Sequence, residues 1–141
     1  MRAAVLTVSD GVFHGAREDG SGETLVAKAT AAGFDVAHRD VVPDEADRIA
    51  ATVSAWADAD DAVELVLVTG GTGFAPRDVT PEALGPVYDR RTPGIDEAMR
   101  AFSMRVKPHG MLSRGVSGIR KGTLILSFPG SPKACDELFD V

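Results

Sequence analysis

Strands alternating with helices predict a three-layer α/β/α sandwich on a mostly parallel sheet, with an antiparallel edge at one side. Three observations carry the prediction. Short apolar runs, Ala3–Val8 and Leu65–Val68, each end abruptly in polar or glycine residues. Stretches with helical spacing of apolar residues follow them. Helix starts of the form Thr80-Pro81 and Thr92-Pro93 recur. Right-handed crossovers would then cover both faces of the sheet. The 141 residues suffice for one domain with one core, and 44% apolar residues is ordinary for a globular chain.

The elements are justified in chain order. Ala3–Val8 reads as the first strand, closed by Ser9-Asp10-Gly11, and a polar, glycine-rich loop follows from His14 to Gly22. Ser21 to Ala32 is expected to be helical, with Leu25, Val26 and Ala29 at compatible spacing and Gly33 as its stop. Phe34–Val42 is the second strand, ended by Pro43. Asp44 is then expected to cap a helix running to about Ala59, with Ile49, Val53 and Trp56 on one face. Leu65–Val68 is the third strand. Thr80 is expected as the N-cap of the next helix, with Pro81 at its first position. After Thr92-Pro93, the residues Ile95, Met99, Phe102 and Val106 form an amphipathic stripe, which Pro108 and Gly110 close. Val116–Ile119 and Thr123–Phe128 flank Arg120-Lys121-Gly122 and read as a tight strand pair. Pro129-Gly130-Ser131-Pro132 opens a last helix, in which Cys135 is a packing residue.

Charge and cysteine content narrow the function classes. A net charge of −6 gives no bulk attraction to nucleic acid or to an anionic membrane. One cysteine, Cys135, allows no internal disulfide and no cysteine metal cage, and it suits a reducing cytoplasm. The apolar start is too short for a signal peptide, and no run reaches the roughly 18 apolar residues of a membrane span.

The chemistry concentrates in Thr69-Gly70-Gly71-Thr72-Gly73, followed by Arg77-Asp78-Val79-Thr80-Pro81-Glu82. A glycine bend after a strand is often a plain tight turn. Here a carboxylate and a helix start follow it, and backbone N–H groups with a helix N-terminus favour a bound anion. The run matches neither G-x-x-x-x-G-K-[ST] nor G-x-G-x-x-G. Asp78 reads either as a turn residue bonding its own backbone or as an oxygen ligand of Mg²⁺, which takes one or two carboxylates and bridges phosphates. Asp44 reads as an N-cap or as a second such ligand, and Ser9-Asp10 shares the ambiguity. In a parallel sheet the loops after strands one to three gather at one end, so Asp10, Asp44, Asp78 and Gly70–Gly73 should meet. Lys133 sits in the first turn of the last helix, where it opposes the helix dipole unless an anion binds there. Arg114, Arg120 and Lys121 could supply local positive field. His14, His38 and His109 have no metal-ligand spacing and receive no role, and Ser113 lacks the G-x-S-x-G of a serine hydrolase.

Together, Thr7-Val8-Ser9-Asp10, Glu18–Gly22, Val42–Glu45, Thr69–Gly73, Arg77–Glu82, Leu112–Gly115, Gly118–Arg120 and Phe128–Lys133 resemble the molybdopterin adenylyltransferases of molybdenum-cofactor biosynthesis, a group shared with the G domain of gephyrin. The resemblance covers nearly the whole chain, 1–141, in the family's order. It implies Mg²⁺-dependent transfer of an adenylyl group from ATP to molybdopterin, with Asp44 and Asp78 as the two catalytic, metal-holding aspartates. It implies that Gly70, Gly71, Thr72 and Gly73, with Ser9, Asp10 and Ser21 beside them, hold the nucleotide. It implies that Ser113, Arg114, Ser131 and Lys133 face the pterin and its phosphate. A homotrimer and a downstream molybdate-inserting partner are further implications. A non-catalytic molybdopterin carrier or scaffold is the alternative expectation. Members of the family usually continue beyond the position of Val141, with more of the last helix.

Overall fold

The two central strands, β1 (Arg2–Val8) and β3 (Leu65–Thr69), explain the layering. Successive side chains of a strand point to opposite faces. In β1, Ala4, Leu6 and Val8 join one apolar layer while Ala3 and Val5 join the other. In β3, Val66 and Val68 face the first layer and Leu65 and Leu67 the second. Both faces are therefore dry, and the strands read as unbroken apolar runs instead of alternating ones.

The computed structural model describes residues 1–141. After β1 come α1 (Asp10–Phe13), α2 (Gly20–Ala31), β2 (Asp35–Val42) and α3 (Ala46–Asp58). After β3 come α4 (Thr80–Leu84), β4 (Arg90–Arg91), α5 (Pro93–Val106), β5 (Gly118–Arg120), β6 (Thr123–Phe128) and α6 (Pro132–Phe139). Short 3-10 turns occupy Gly85–Val87 and Pro108–Leu112. The six strands run in the order β2-β1-β3-β6-β5-β4. The first four are parallel, and β5 and β4 add the antiparallel edge. Ile49 and Val53 of α3 and Leu84 of α4 pack on one face, whereas Leu25 of α2, Met99 of α5, and Cys135 and Leu138 of α6 pack on the other. The three-layer sandwich is as expected.

Several boundaries differ from the sequence expectation. The N-cap of α3 is Glu45 and not Asp44, because the Asp44 carboxylate is drawn away to the backbone of Asp10. The N-cap of α4 is Val79, and Thr80 is its first helical residue. Between the first strand and the expected His14–Gly22 loop lies the single turn α1, an element that the sequence does not predict; it is capped by the Ser9 hydroxyl, which accepts from Val12 N–H at 3.2 Å. Val106 leaves the apolar stripe of α5 and is 46% exposed.

Strand order sets where a ligand can enter. The chain passes from β1 to β2 on one side, then returns to place β3 on the other side of β1. Such a reversal splays the loops at the carboxyl ends of β1 and β3 and opens a crevice there.

Candidate functional site

A cleft of about 800 Å³ occupies that switch point. Its floor is the turn after β3. Gly70 has φ +101° and Gly71 φ +69°, in the region that favours glycine. A Cβ on Gly70 would collide with the Val8 carbonyl oxygen, and one on Gly71 with the Thr80 hydroxyl. The chain can therefore pass between β1 and α4 only without side chains. Thr80 locks the turn: its hydroxyl donates to Gly70 O at 2.8 Å and its N–H to Gly71 O at 3.1 Å. Gly70 N–H is used by Phe128 O, but the N–H groups of Gly71, Thr72 and Gly73 donate to no acceptor in the protein, and all three residues line the cleft.

Of the four carboxylate residues lining this cleft, Asp44 and Asp78 are the two beside the glycine turn. Asp44, after β2, accepts from Asp10 N–H through Oδ2 at 2.8 Å. Asp78, after the glycine turn, accepts from Ala75 N–H through Oδ2 at 3.0 Å. In each, one oxygen is tied to the backbone, the other has no hydrogen-bond partner, and neither carboxylate pairs with a cation. Burial, followed by repulsion from Asp10 and Asp78, raises the Asp44 pKa above the usual carboxylate value. Asp10 differs. Arg77 donates to both of its oxygens, at 2.7 and 2.9 Å, and Asp44 N–H donates at 3.0 Å. The Arg77 guanidinium first, then the Asp44 amide, pull the Asp10 pKa down to about 2. Asp10 and Asp44 thus exchange backbone bonds, and Arg77 ties the pair to the loop after β3.

A hard cation fits this donor set. Two half-free carboxylates, with repulsion that a cation would relieve, match the one or two carboxylates Mg²⁺ takes while keeping water and phosphate oxygens. No cluster of three or more potential metal ligands is present, so a cage made wholly of protein is absent.

The sequence-selected residues divide as follows. Ser9, Ser21, Asp44, Gly70, Gly71, Thr72, Gly73, Asp78, Ser113, Ser131 and Lys133 line the one cleft. Ser21 and Lys133 stand in the first turns of α2 and α6, whose N-termini open onto it. The Ser131 hydroxyl is spent as the α6 N-cap, accepting from Ala134 N–H at 3.1 Å. Asp10 and Arg114 do not line the cleft, since each is consumed by neighbouring loops. Sequence reasoning missed Arg17, Lys107 and His109, which do line it. Arg17 folds over the bare Cα of Gly11. Lys107 and His109 arrive because the 3-10 turn after α5 doubles back along the helix. Pro108 and Gly110 were the sequence signals of that reversal, and Gly110 packs bare against Ser103 and Met104 of α5.

These features define the class: an open-sheet α/β protein with a polar cleft at its topological switch point. The chain belongs to the family described as "Probable molybdopterin binding domain", which matches residues 4–141. It is 43% identical to gephyrin of Dictyostelium discoideum over 94% of its own length but only 20% of that protein. It thus spans about a fifth of that relative. It is 40% identical to the molybdopterin adenylyltransferase of Haemophilus influenzae, over 99% of this chain and 72% of the other. Its fold matches the crystal structure of the molybdopterin biosynthesis enzyme MoaB from Thermus thermophilus with a TM-score of 0.91 at 44% identity, covering 99% of this chain and 87% of that one.

Proposed function

We propose that this protein transfers the adenylyl group of ATP to the terminal phosphate of molybdopterin. The observation that carries the proposal is three unpartnered amides, at Gly71, Thr72 and Gly73, in the same cleft as the Asp44 and Asp78 carboxylates, which have no cationic partner. The named adenylyltransferase relative supports it.

A phosphate oxygen of molybdopterin attacks the α-phosphorus of ATP. The bond from that phosphorus to its bridging oxygen breaks, and pyrophosphate leaves with the electron pair. The nucleophile is already anionic near neutral pH, so no general base is required, and the protein contributes positioning and charge stabilisation. The glycine amides hold phosphate oxygens of the nucleotide. Asp44 and Asp78 hold Mg²⁺, which when bound neutralises phosphate charge. Lys133 at the start of α6 and Lys107, both lining the cleft, draw an anionic substrate into a chain whose net charge is −6. Assembly as a homotrimer and work in the cytoplasm belong to the same proposal. Exposed Phe74, Met104, Met111 and Leu112 support the assembly by leaving apolar surface on the single chain.

The test is incubation with molybdopterin, ATP and Mg²⁺, followed by assay of pyrophosphate and adenylylated product. Product that requires both substrates is expected. The matched family is described by binding alone, which favours one second reading, a carrier of molybdopterin. Tight molybdopterin binding without pyrophosphate release would select the carrier. Asp78→Asn keeps an oxygen for Ala75 N–H but removes the charge, so turnover should fall by about 100-fold or more while the urea midpoint stays near wild type. Undiminished turnover would remove Asp78 from the chemistry.

A further inference from the structure

Arg114 does not line the cleft, and each of its three side-chain nitrogens is engaged by a neighbouring loop or helix. Its Nε donates to Gly73 O at 2.8 Å, one terminal nitrogen to Asp78 O at 2.7 Å, and the other to the Glu82 carboxylate at 2.6 Å. Its own N–H donates to Thr72 O at 2.9 Å. The first two bonds close the two ends of the Gly73–Asp78 loop onto one rigid plane, and the third fixes that plane to α4. Glu82 is held below its ordinary pKa chiefly by Arg114, as a formed pair requires. The segment carrying Arg114 is itself anchored from behind. Arg100 of α5 donates to Gly115 O at 3.0 Å, and the buried Asp96 carboxylate accepts from Ser117 N–H at 2.8 Å. Ser113, immediately before Arg114, is on the cleft wall.

We infer that Arg114 is a positioning residue which clamps the Gly73–Asp78 loop, aims the Asp78 carboxylate, and ties the Ser113 wall to it, without itself touching substrate. The inference rests on the adenylyl-transfer reading for its kinetic consequence, but the clamp can be measured without it. Beyond Arg114, the loop's hydrogen-bonded anchor to the rest of the molecule is Arg77, which donates to both Asp10 oxygens. Phe74 at its tip is 70% exposed, and its internal bonds are Ala75 N–H to the Asp78 carboxylate and Asp78 N–H to Ala75 O at 2.9 Å. A planar fork reaching two carbonyls and a carboxylate at once is geometry that guanidinium supplies and ammonium does not. Arg114→Lys therefore separates a clamp from a simple positive charge.

The experiment compares wild type, Arg114→Lys and Arg114→Met by amide hydrogen exchange, with no ligand added, and then by steady-state adenylylation. The amides of Ala75, Asp78 and Thr80 should exchange about tenfold faster or more in both variants. Those of β1 and β3 should be unchanged, which certifies the fold. In the assay kcat should fall in both variants, while KM for molybdopterin stays within about threefold. Wild-type loop exchange in both variants would overturn the clamp. So would wild-type kcat in Arg114→Lys together with a raised molybdopterin KM in Arg114→Met, the pattern of a substrate ligand. If wild type shows no turnover, the adenylyl-transfer reading fails, and the exchange result still decides whether Arg114 clamps the loop.

Discussion

Single residues at the switch point are constrained by neighbours from three different loops. Gly70 is the tightest case. It follows β3 directly, its φ of +101° suits only glycine, and the Val8 carbonyl occupies the place a Cβ would take. Gly70→Ala therefore combines backbone strain with a backbone collision that no rotamer change can relieve. The expected destabilisation is at least about 1–3 kcal/mol, read from the shift in urea midpoint. A stability loss below that range would mean that the turn can relax away from β1. The same crowding explains Asp10. Its carboxylate, held by Arg77 and by Asp44 N–H, sets the backbone from which Asp44 projects into the cleft. Sequence marked Asp10 as chemically important, but chain separation hid its partners. Arg77 is 67 residues away and Asp44 is 34.

At the level of elements, α3 is fastened to the antiparallel edge through one carboxylate. Asp58, its last residue, accepts from Arg120 at 2.9 and 2.8 Å and lies 3.2 Å from Lys121. The Arg120 hydrogen bonds, with Lys121 second, lower its pKa from 3.8 to about 2. A carboxylate depressed by folding contributes stability that is present above its unfolded pKa and is lost as pH falls through the folded one. Wild type should thus be more stable than Asp58→Asn above about pH 4, and urea midpoints should converge between pH 4 and pH 2. A gap independent of pH would deny that the ionised pair matters. Elements whose shape is decided locally were legible from sequence: β3 as an unbroken apolar run, α5 from Thr92-Pro93, and α6 from its serine cap. Elements decided by distant partners were not. Arg90–Arg91 becomes a strand only because Ile119 and Gly118 lie opposite, and α1 forms just before the glycine-rich loop because Ser9 caps it. In the cleft, the glycine turn and both free carboxylates were legible. Arg17, Lys107 and His109 were not, because their place depends on how α1 and α5 end.

For the molecule as a whole, the sheet is a partition. Its central strands are buried on both faces, and the two apolar layers share no residue. The cleft sits at the edge of that partition and draws from both sides: Asp78 precedes α4 of the first layer, whereas Ser21 and Lys133 belong to α2 and α6 of the second. Packing defects in different layers should therefore be felt independently. Ile49→Val trims α3 in the first layer and should cost about 0.5–1.5 kcal/mol, while Leu25→Ala hollows the second and should cost about 2–5 kcal/mol. Sheet and layers set the two sites about 10 Å or more apart, so the double variant should equal the sum within about 0.5 kcal/mol in urea unfolding. Ile49→Val with Leu84→Ala is the contrasting pair, since both side chains share the first layer. There the second defect meets a neighbourhood already relaxed by the first, and coupling of about 0.5 kcal/mol or more is expected. Coupling as large across the sheet as within one layer would show that β1 and β3 transmit strain instead of dividing it. The two walls of the cleft would then have to be treated as one mechanical unit.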